Sequence, residues 1–454
     1  MKEWFEELST FVEKDRISWG ESVLDLHSRD QSHHTPVRPD VVIWPQEVKE
    51  VCQILRFCNE KKIPVTPWGA GTSLEGNPIP IKAGVVLDFS LMNKILDIRA
   101  QDFQVDVQPG VVYQDLNEKL RHMGLFFPPD PGARATIGGM IGNNASGIRT
   151  VRFGSTRDYV LRLKVVLASG EVLQLGSRAS KSSAGYDLLH LFVGSEGTLG
   201  IIVEATLKVV GMPPDSSAMI ASFVDLREAG NAVFEIMRAG LEPGALEVLS
   251  EECVALIKKE SDLDVPLKNL LFVEFLGPSM NYLRDVVLAA EELLKETGAD
   301  TIQKGIGREK RDILFKARYQ LGEMIIRNHP DRGFLTTDTA VPISKFPQLL
   351  MFARKITHGL DIPAYIFSHA GNGNIHVALM GKKGDNKEWS LIQEINERLV
   401  KKALELGGTC TGEHGVGIGK RPFMELEHKD AIVWMRRLKE FMDPNGILNP
   451  GKII

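Results

Sequence analysis

Apolar positions along the chain recur with two periods. "DVVIWP" (40–45) and "IPVTPWG" (63–69) are short apolar runs that predict strands. Between them "QEVKEVCQILRFCNEKK" repeats at helical spacing, which predicts an amphipathic helix and hence a β–α–β unit. "FQVDVQPG" followed by "VYQDLNEKLRHMG" repeats strand then helix. "YVLRLKVVLASGEVLQLG" alternates and turns at Ser169–Gly170, a hairpin. Beyond "VVGMPPDSS" (209–217) the patterns lengthen: "NLLFVEFLG" predicts a strand and "NYLRDVVLAAEELLKETG" a helix, an α+β second domain. "KKGDNKEW" (382–389) predicts a solvated turn. The expected division is an N-terminal helical segment (1–35), two domains (36–213 and 214–425) and a C-terminal segment (426–454).

Length and charge narrow the class. A chain of 454 residues carries two or three domains with sizeable cores. Hydrophobic residues at 43%, charged residues at 25% and a net charge of -5 fit an ordinary soluble protein and give no basic field for nucleic acid. There is no apolar run of about 18 residues and no signal-peptide pattern at the start, so the expectation is a cytoplasmic protein, with peripheral membrane contact left open. The four cysteines, Cys52, Cys58, Cys253 and Cys410, form no C-x-x-C pair, which argues against an iron–sulfur cluster or a Cys-rich zinc site. Cys52 and Cys58 fall on the apolar stripe of the first helix and are expected to be buried thiols.

Three glycine-rich loops carry candidate chemistry. In "PWGAGTSLEGN" (67–77), Gly69 and Gly71 permit backbone conformations closed to other residues, and successive N–H groups with the Thr72 and Ser73 hydroxyls could form an anion nest. Alone, the loop is equally compatible with a plain tight turn. It is not a dinucleotide fingerprint, since Leu74 stands where the third glycine belongs. "HGVGIGKR" lacks the Ser or Thr of a Walker loop. "PPDPGARATIGGMIGNNASGIRTVRFG" (128–154) and "FVGSEGTLGII" (192–202) share the small, donor-rich character. Three such loops in one domain suit an extended, phosphate-bearing cofactor.

These loops, with "TRDYVLRLKVVLASGEVL" and the terminal "LNPGKII", resemble the flavin-linked oxidase and dehydrogenase family whose FAD domain is that of vanillyl-alcohol oxidase and p-cresol methylhydroxylase. The resemblance runs from about "RDQSHHTP" to the end. It implies an α+β fold: a bipartite FAD-binding domain plus an α+β cap with an antiparallel sheet. Gly69, Ala70, Gly71, Thr72 and Ser73 would hold the pyrophosphate. Pro129, Thr136, Gly139, Asn143, Ser146 and Gly147 would line the isoalloxazine and ribityl. Glu196, Gly200 and Ile202 would sit near the adenosine half, and Asn449 would return to the flavin. Nothing identifies a covalent flavin linkage, so a dissociable FAD is expected.

The stretch "IFSHAGNGNIHVALM" (366–380) sets His369 and His376 around a glycine turn. An isolated pair of this kind is compatible with two hydrogen-bonded histidines beside a strand turn. Gly371 and Gly373 would let both side chains reach one point, and "TGEHGVG" adds Glu413 and His414. Two imidazoles and a carboxylate suit a catalytic divalent metal. The resemblance places such an ion, zinc or manganese, on His369, His376 and Glu413. His414 would be the base that takes the hydroxyl proton of a 2-hydroxy acid, or a residue orienting Glu413. Arg318, in "REKRDILFKARYQLGEM", would bind the substrate carboxylate in a bidentate contact.

"GTCTGEHGVGIGKR" and "TTDTAVPIS" are most similar to D-lactate dehydrogenases of the cytochrome-linked type. The expected reaction is FAD-dependent oxidation of D-lactate to pyruvate. The alternatives are a glycolate oxidase flavin subunit, a D-2-hydroxyglutarate dehydrogenase, or an inactive FAD- and metal-binding module. Expected partners are the small hydroxy acid and an electron acceptor, which could be a cytochrome, a quinone, or an iron–sulfur or flavoprotein partner. A homodimer is compatible with the sequence.

Overall fold

The computed structural model describes residues 4–454, which divide into two units. The first unit is built from three stretches: the described residues up to Ser146, then Ser155–Met212, then Glu413–Ile454. The second comprises Gly147–Gly154 and Pro213–Gly412. Two boundaries differ from the expected ones. The chain rejoins the first unit at Glu413 rather than 426, because residues 416–419 hydrogen-bond to Glu75 and Glu196 of that unit. Gly147–Gly154 belongs to the second unit because Ile148 enters an apolar cluster with Ala218 and Phe272, and Arg152 Nη1 donates to Leu276 O.

The first unit holds a four-stranded sheet in the order Ile17–Ser18, Val41–Ile43, Val85–Asp88, Val65–Trp68, the last three parallel. The helix Val48–Lys61 covers it through Val51, Ile54, Leu55 and Cys58, a stripe at i, i+3, i+4 and i+7. A capping box of Glu47 and Glu50 starts that helix, and Lys62 in the left-handed region ends it. The predicted β–α–β unit therefore exists, but its two strands are not neighbours. The wholly buried Val85–Asp88 lies between them and pairs with both. Cys52 is only half-buried, at the flank of the stripe, whereas Cys58 is buried; all four cysteines are free thiols. An antiparallel five-stranded sheet, Ile95–Arg99, Gln104–Val107, Ile201–Lys208, Val160–Val166 and Val172–Gly176, completes the unit with the predicted hairpin at its edge.

The second unit is an antiparallel sheet in the order Thr301–Ile306, Asp215–Phe223, Asn269–Gly277, Ala245–Leu249, Ala364–His369, Asn374–Lys382, Arg332–Thr336. One face packs on helices Leu226–Arg238, Met280–Glu296, Phe346–Thr357 and Asn386–Glu405 around an apolar core. The other packs on Glu251–Glu260 and the long helix Arg308–Arg327. "KKGDNKEW" is a turn only as far as Asp385. That carboxylate accepts from Lys387 N and Glu388 N and starts the next helix. Among the described residues no helix is long and apolar enough to cross a membrane.

The C-terminal stretch closes the parallel sheet. Leu448 bridges Val65, and Asn449 N–H donates to Val65 O at 2.8 Å. Asp443, 2% exposed, fixes this return: it accepts from Ile447 N and Leu448 N at 3.0 and 2.8 Å and pairs with Lys439 Nζ at 2.5 Å. Burial lowers the Lys439 pKa, so the ammonium depends on that carboxylate. Asp443→Ala leaves a buried ammonium without its counter-charge, held only by Thr198 O and Leu448 O, and two N–H groups without an acceptor. It should cost about 3–5 kcal/mol of unfolding free energy, read from the urea midpoint.

Candidate functional site

In the first unit the strand Val65–Trp68 runs into the loop 69–77, and this loop is half-exposed at Gly69, Gly71, Thr72 and Ser73 and exposed at Ala70. Gly71 has φ +66°, and a Cβ there would lie 2.7 Å from the Trp68 ring, so only glycine fits. A Cβ on Gly69 would lie 2.4 Å from Thr136 Oγ1 and 3.9 Å from Gly139 Cα. The first two glycine-rich loops thus meet backbone to backbone. Thr136 caps the helix Ile137–Asn143, its hydroxyl facing Gly139 N, and Gly139 itself is exposed. A partly exposed surface of small residues and N–H groups fits a flat, phosphate-bearing group.

The loop is braced from behind. Asp30, buried, accepts from Gly76 N at 2.8 Å, and Gln31 N donates to Ser73 O at 3.0 Å. Burial raises the Asp30 pKa. Glu75, 5% exposed, takes Ile418 N and Gly419 N on its backbone oxygen, and its carboxylate lies 3.4 Å from Lys420 Nζ and 3.7 Å from His414 Nδ1. Nearby, burial brings His33 down to about 4, so that imidazole is neutral at physiological pH. Asn143 Nδ2 and Asn77 Nδ2 both donate to His414 O, at 3.1 and 3.5 Å, and Ser146 Oγ donates to Glu413 Oε2 at 2.9 Å. The loop bearing Glu413 and His414 is therefore tied directly to the predicted cofactor residues Asn143 and Ser146.

Glu196 differs from expectation. Its carboxylate accepts from Val416 N at 2.6 Å and Gly417 N at 3.0 Å, so it clamps the returning loop. Asn449 joins the same cluster, donating to Glu196 O at 2.7 Å and Asn77 O at 3.0 Å. Gly200 and Ile202 take no part in it. Gly200 leaves room for Val165 and Phe192, and Ile202 lies in a buried strand. Pro129 is buried, and Gly147 sits at the start of the excursion into the second unit, its N–H donating to Thr150 Oγ1 at 2.9 Å.

In the second unit the strands Ala364–His369 and Asn374–Lys382 form a hairpin with Phe367 opposite His376 and His369 opposite Asn374. The two-residue alternation then sets Phe367, His369 and His376 on one face. Gly373, φ +68°, makes the turn; a Cβ there would meet Val341 O at 2.1 Å. The imidazole rings stand edge to face, 5.2 Å apart. His369 Nδ1 lies 2.8 Å from Glu247 Oε1, and His376 Nδ1 lies 3.0 Å from Thr337 O. A carboxylate and a carbonyl only accept, so in either ring's neutral form the proton is on Nδ1 and the lone pair on Nε2. That is the tautomer a metal ligand needs, and the donor set fits a divalent cation.

Arg318 is not solvated. It is 7% exposed; its Nε donates to Glu247 Oε2 at 3.0 Å, its Nη2 bonds the same oxygen, and its guanidinium lies 5.5 Å from the Phe367 ring. The Nε/Nη2 fork is therefore occupied. Nη1 has no partner among the described residues, so an anion would meet Arg318 from that side. Lys316, two residues earlier, is exposed. Glu247, Asp30 and Glu75 did not stand out in the sequence; a charged residue inside an apolar strand such as "ALEVL" was the one available signal.

Comparison with known proteins decides the family. Residues 212–453 match the model "FAD linked oxidases, C-terminal domain" and residues 39–176 match "FAD binding domain". The chain belongs to the FAD-linked oxidase family. It is 37% identical over 442 residues to the probable mitochondrial D-lactate dehydrogenase of Danio rerio, covering 96% of this chain and 89% of that one. Identity to the glycolate oxidase subunit GlcD of Bacillus subtilis is 36% over 433 residues, 94% and 92% of the two chains. Two solved structures share the fold at TM-score 0.79. Alkyldihydroxyacetonephosphate synthase is 21% identical, covering 99% of this chain and 84% of that one. The 4-ethylphenol oxidase of Gulosibacter chungangensis is 18% identical, covering 99% and 96%. This FAD-linked oxidase is thus an FAD-dependent oxidoreductase of α+β class, with an FAD domain of the p-cresol methylhydroxylase type.

The Glu196 clamp gives a pH signature. Burial is the main cause that pushes its pKa from 4.5 up to about 7, against the two backbone donors that favour the ionised form. An acid with a raised folded-state pKa holds its proton more tightly folded than unfolded. The wild-type chain therefore loses stability as pH climbs from about 4.5 to about 7. Glu196→Gln does not titrate and should gain on wild type by roughly 3 kcal/mol across that window, measured by urea unfolding at pH 5 and pH 8.

Proposed function

We propose that this oxidoreductase oxidises a small D-2-hydroxy monocarboxylate, D-lactate to pyruvate. What supports the reading most is one sheet face whose two imidazoles, in the ligand tautomer, lie close to a buried arginine of the helix packed on it. A carboxylate partner and a hydroxyl-activating centre are the two groups that a 2-hydroxy acid requires. Relatives named as D-lactate dehydrogenases from Danio rerio and Arabidopsis thaliana point the same way.

The roles follow. Arg318 binds the substrate carboxylate through its Nη1 side. A divalent metal, zinc or manganese, would be held by His369, His376 and Glu413, and would supply charge that lowers the pKa of the substrate hydroxyl. His414 takes the hydroxyl proton; the side-chain amides of Asn77 and Asn143, donating to His414 O, fix its loop. FAD, bound without a covalent link, would rest on residues 69–73 and on the segment from Pro129 to Ser146, with Glu196 and Asn449 holding the closing loop. The chemistry it supplies when bound is acceptance of the α-hydrogen with its electron pair. Relatives named as cytochrome-type enzymes favour a cytochrome as the terminal acceptor. Identity to a glycolate oxidase subunit favours glycolate as the second substrate to test.

Two outcomes test this. The stretch Gly333–Ser344 contains no Lys or Arg, Thr337 in it is fully buried, and Lys316 points to solvent. A second carboxylate on the substrate would enter without a cation, so kcat/KM for D-lactate should exceed that for D-2-hydroxyglutarate by about a thousandfold. Comparable efficiencies would refute the monocarboxylate assignment. His414→Asn should slow anaerobic flavin bleaching by D-lactate about 10²–10⁴-fold while substrate still binds; an unchanged rate would remove His414 from the role of base.

A further inference from the structure

The second unit contains two buried carboxylates on neighbouring strands, Glu247 and Glu274, each with no exposed surface. The helix Arg308–Arg327 presents an arginine to each: Arg318 to Glu247, and Arg311, one heptad earlier, to Glu274 at 2.5 Å. The two pairs look alike but end differently. Arg311 also reaches Asp312 and Tyr319 OH, and Glu274 meets a second arginine, Arg149, at 3.7 Å. Every named neighbour is another residue of a structural network. Glu247 instead splits its carboxylate: Oε2 takes the Arg318 fork and Oε1 takes His369 Nδ1 at 2.8 Å. Strand register enforces this, since Glu247 and His369 are directly paired across adjacent strands. Phe367 fills the space between, with Arg318 5.5 Å from one side of its ring and the His376 ring 5.2 Å away.

One carboxylate thus fixes both the imidazole tautomer and the direction of the guanidinium. We infer that Glu247 is a positioning residue that couples the metal-ligand histidine to the carboxylate-binding arginine, orienting His369 Nε2 and leaving the Nη1 side of Arg318 for the substrate. The inference rests on the metal and substrate reading above. Hydrogen bonding to a carboxylate raises the basicity of a ligand imidazole, so loss of that charge weakens the metal as well as the substrate contact. An ordinary structural ion pair affects stability alone.

Cobalt(II) is the probe. The purified flavoprotein is stripped of metal with a chelator and titrated with cobalt(II) while the visible ligand-field bands are followed. Glu247→Gln keeps the shape and an acceptor oxygen but removes the charge; cobalt affinity should fall about 10–100-fold, and KM for D-lactate should rise. Glu274→Gln breaks the matching pair and should leave cobalt affinity within threefold of wild type, whatever it does to thermal stability. Should Glu247→Gln fail to fold around an uncompensated Arg318, the double variant Glu247→Gln/Arg318→Met removes both charges together. It should still show weakened cobalt binding, while Arg318→Met alone raises KM and leaves cobalt affinity unchanged. Full cobalt affinity in the Glu247 variants overturns the inference and leaves the reading of function standing. A wild-type chain that binds no cobalt but is reduced by D-lactate overturns the metal assignment and the inference with it.

Discussion

A carboxylate taken out of water must be met by donors or by a cation, and both units are organised by that requirement. In the first, Asp30 accepts from Gly76, Glu196 from residues 416 and 417, and Asp443 from residues 447 and 448. Each such group costs several kcal/mol if left unmatched. The backbone segments that match them are the glycine-rich loop at Gly76 and the returning stretches at 416–417 and 447–448. Placement of those loops is therefore a by-product of satisfying buried charge, and it is rigid for the same reason. In the second unit the same demand is met by side chains, with Arg318 and His369 sharing Glu247.

The sequence made the regular elements legible where one period dominated. The stripe Val51, Ile54, Leu55 and Cys58 is a helix, and Val160–Val166 with Val172–Gly176 is a hairpin. Pairing was not legible. Nothing in "VVLD" says that it inserts between two strands read as neighbours, because parallel order is set by crossover packing over a distance that no local pattern spans. The excursion Gly147–Gly154 was equally invisible, since its allegiance depends on Ile148 and on two arginines finding partners far along the chain.

The candidate site divides in the same way. His369 and His376 lie seven residues apart around a glycine turn, and that turn is what let a meeting of their side chains be argued from sequence. Glu247 is more than a hundred positions away from His369 and appears beside it only through strand register. Arg318 was expected to offer a bidentate fork to the substrate carboxylate, yet its Nε/Nη2 side is taken by Glu247, a residue of a strand distant in sequence. Glu196 reads in sequence as one more polar residue of a glycine-rich loop. Two of its actual partners are peptide N–H groups, which have no letter in the sequence at all.

The three-part construction of the first unit has a consequence for synthesis. The parallel sheet starts near residue 17, but Val65 finds its last partner in Leu448, and the loop 69–77 gains its Glu75 and Asn77 contacts only from residues 414–449. The second unit is nearly contiguous, Pro213–Gly412. On a ribosome it can fold as it emerges, while the earlier-made strands must wait until residues 414–449 have been made, with their apolar faces exposed. Such long-range closure is slow and aggregation-prone. The segments that close the first unit are therefore made only after the whole of the second has been made.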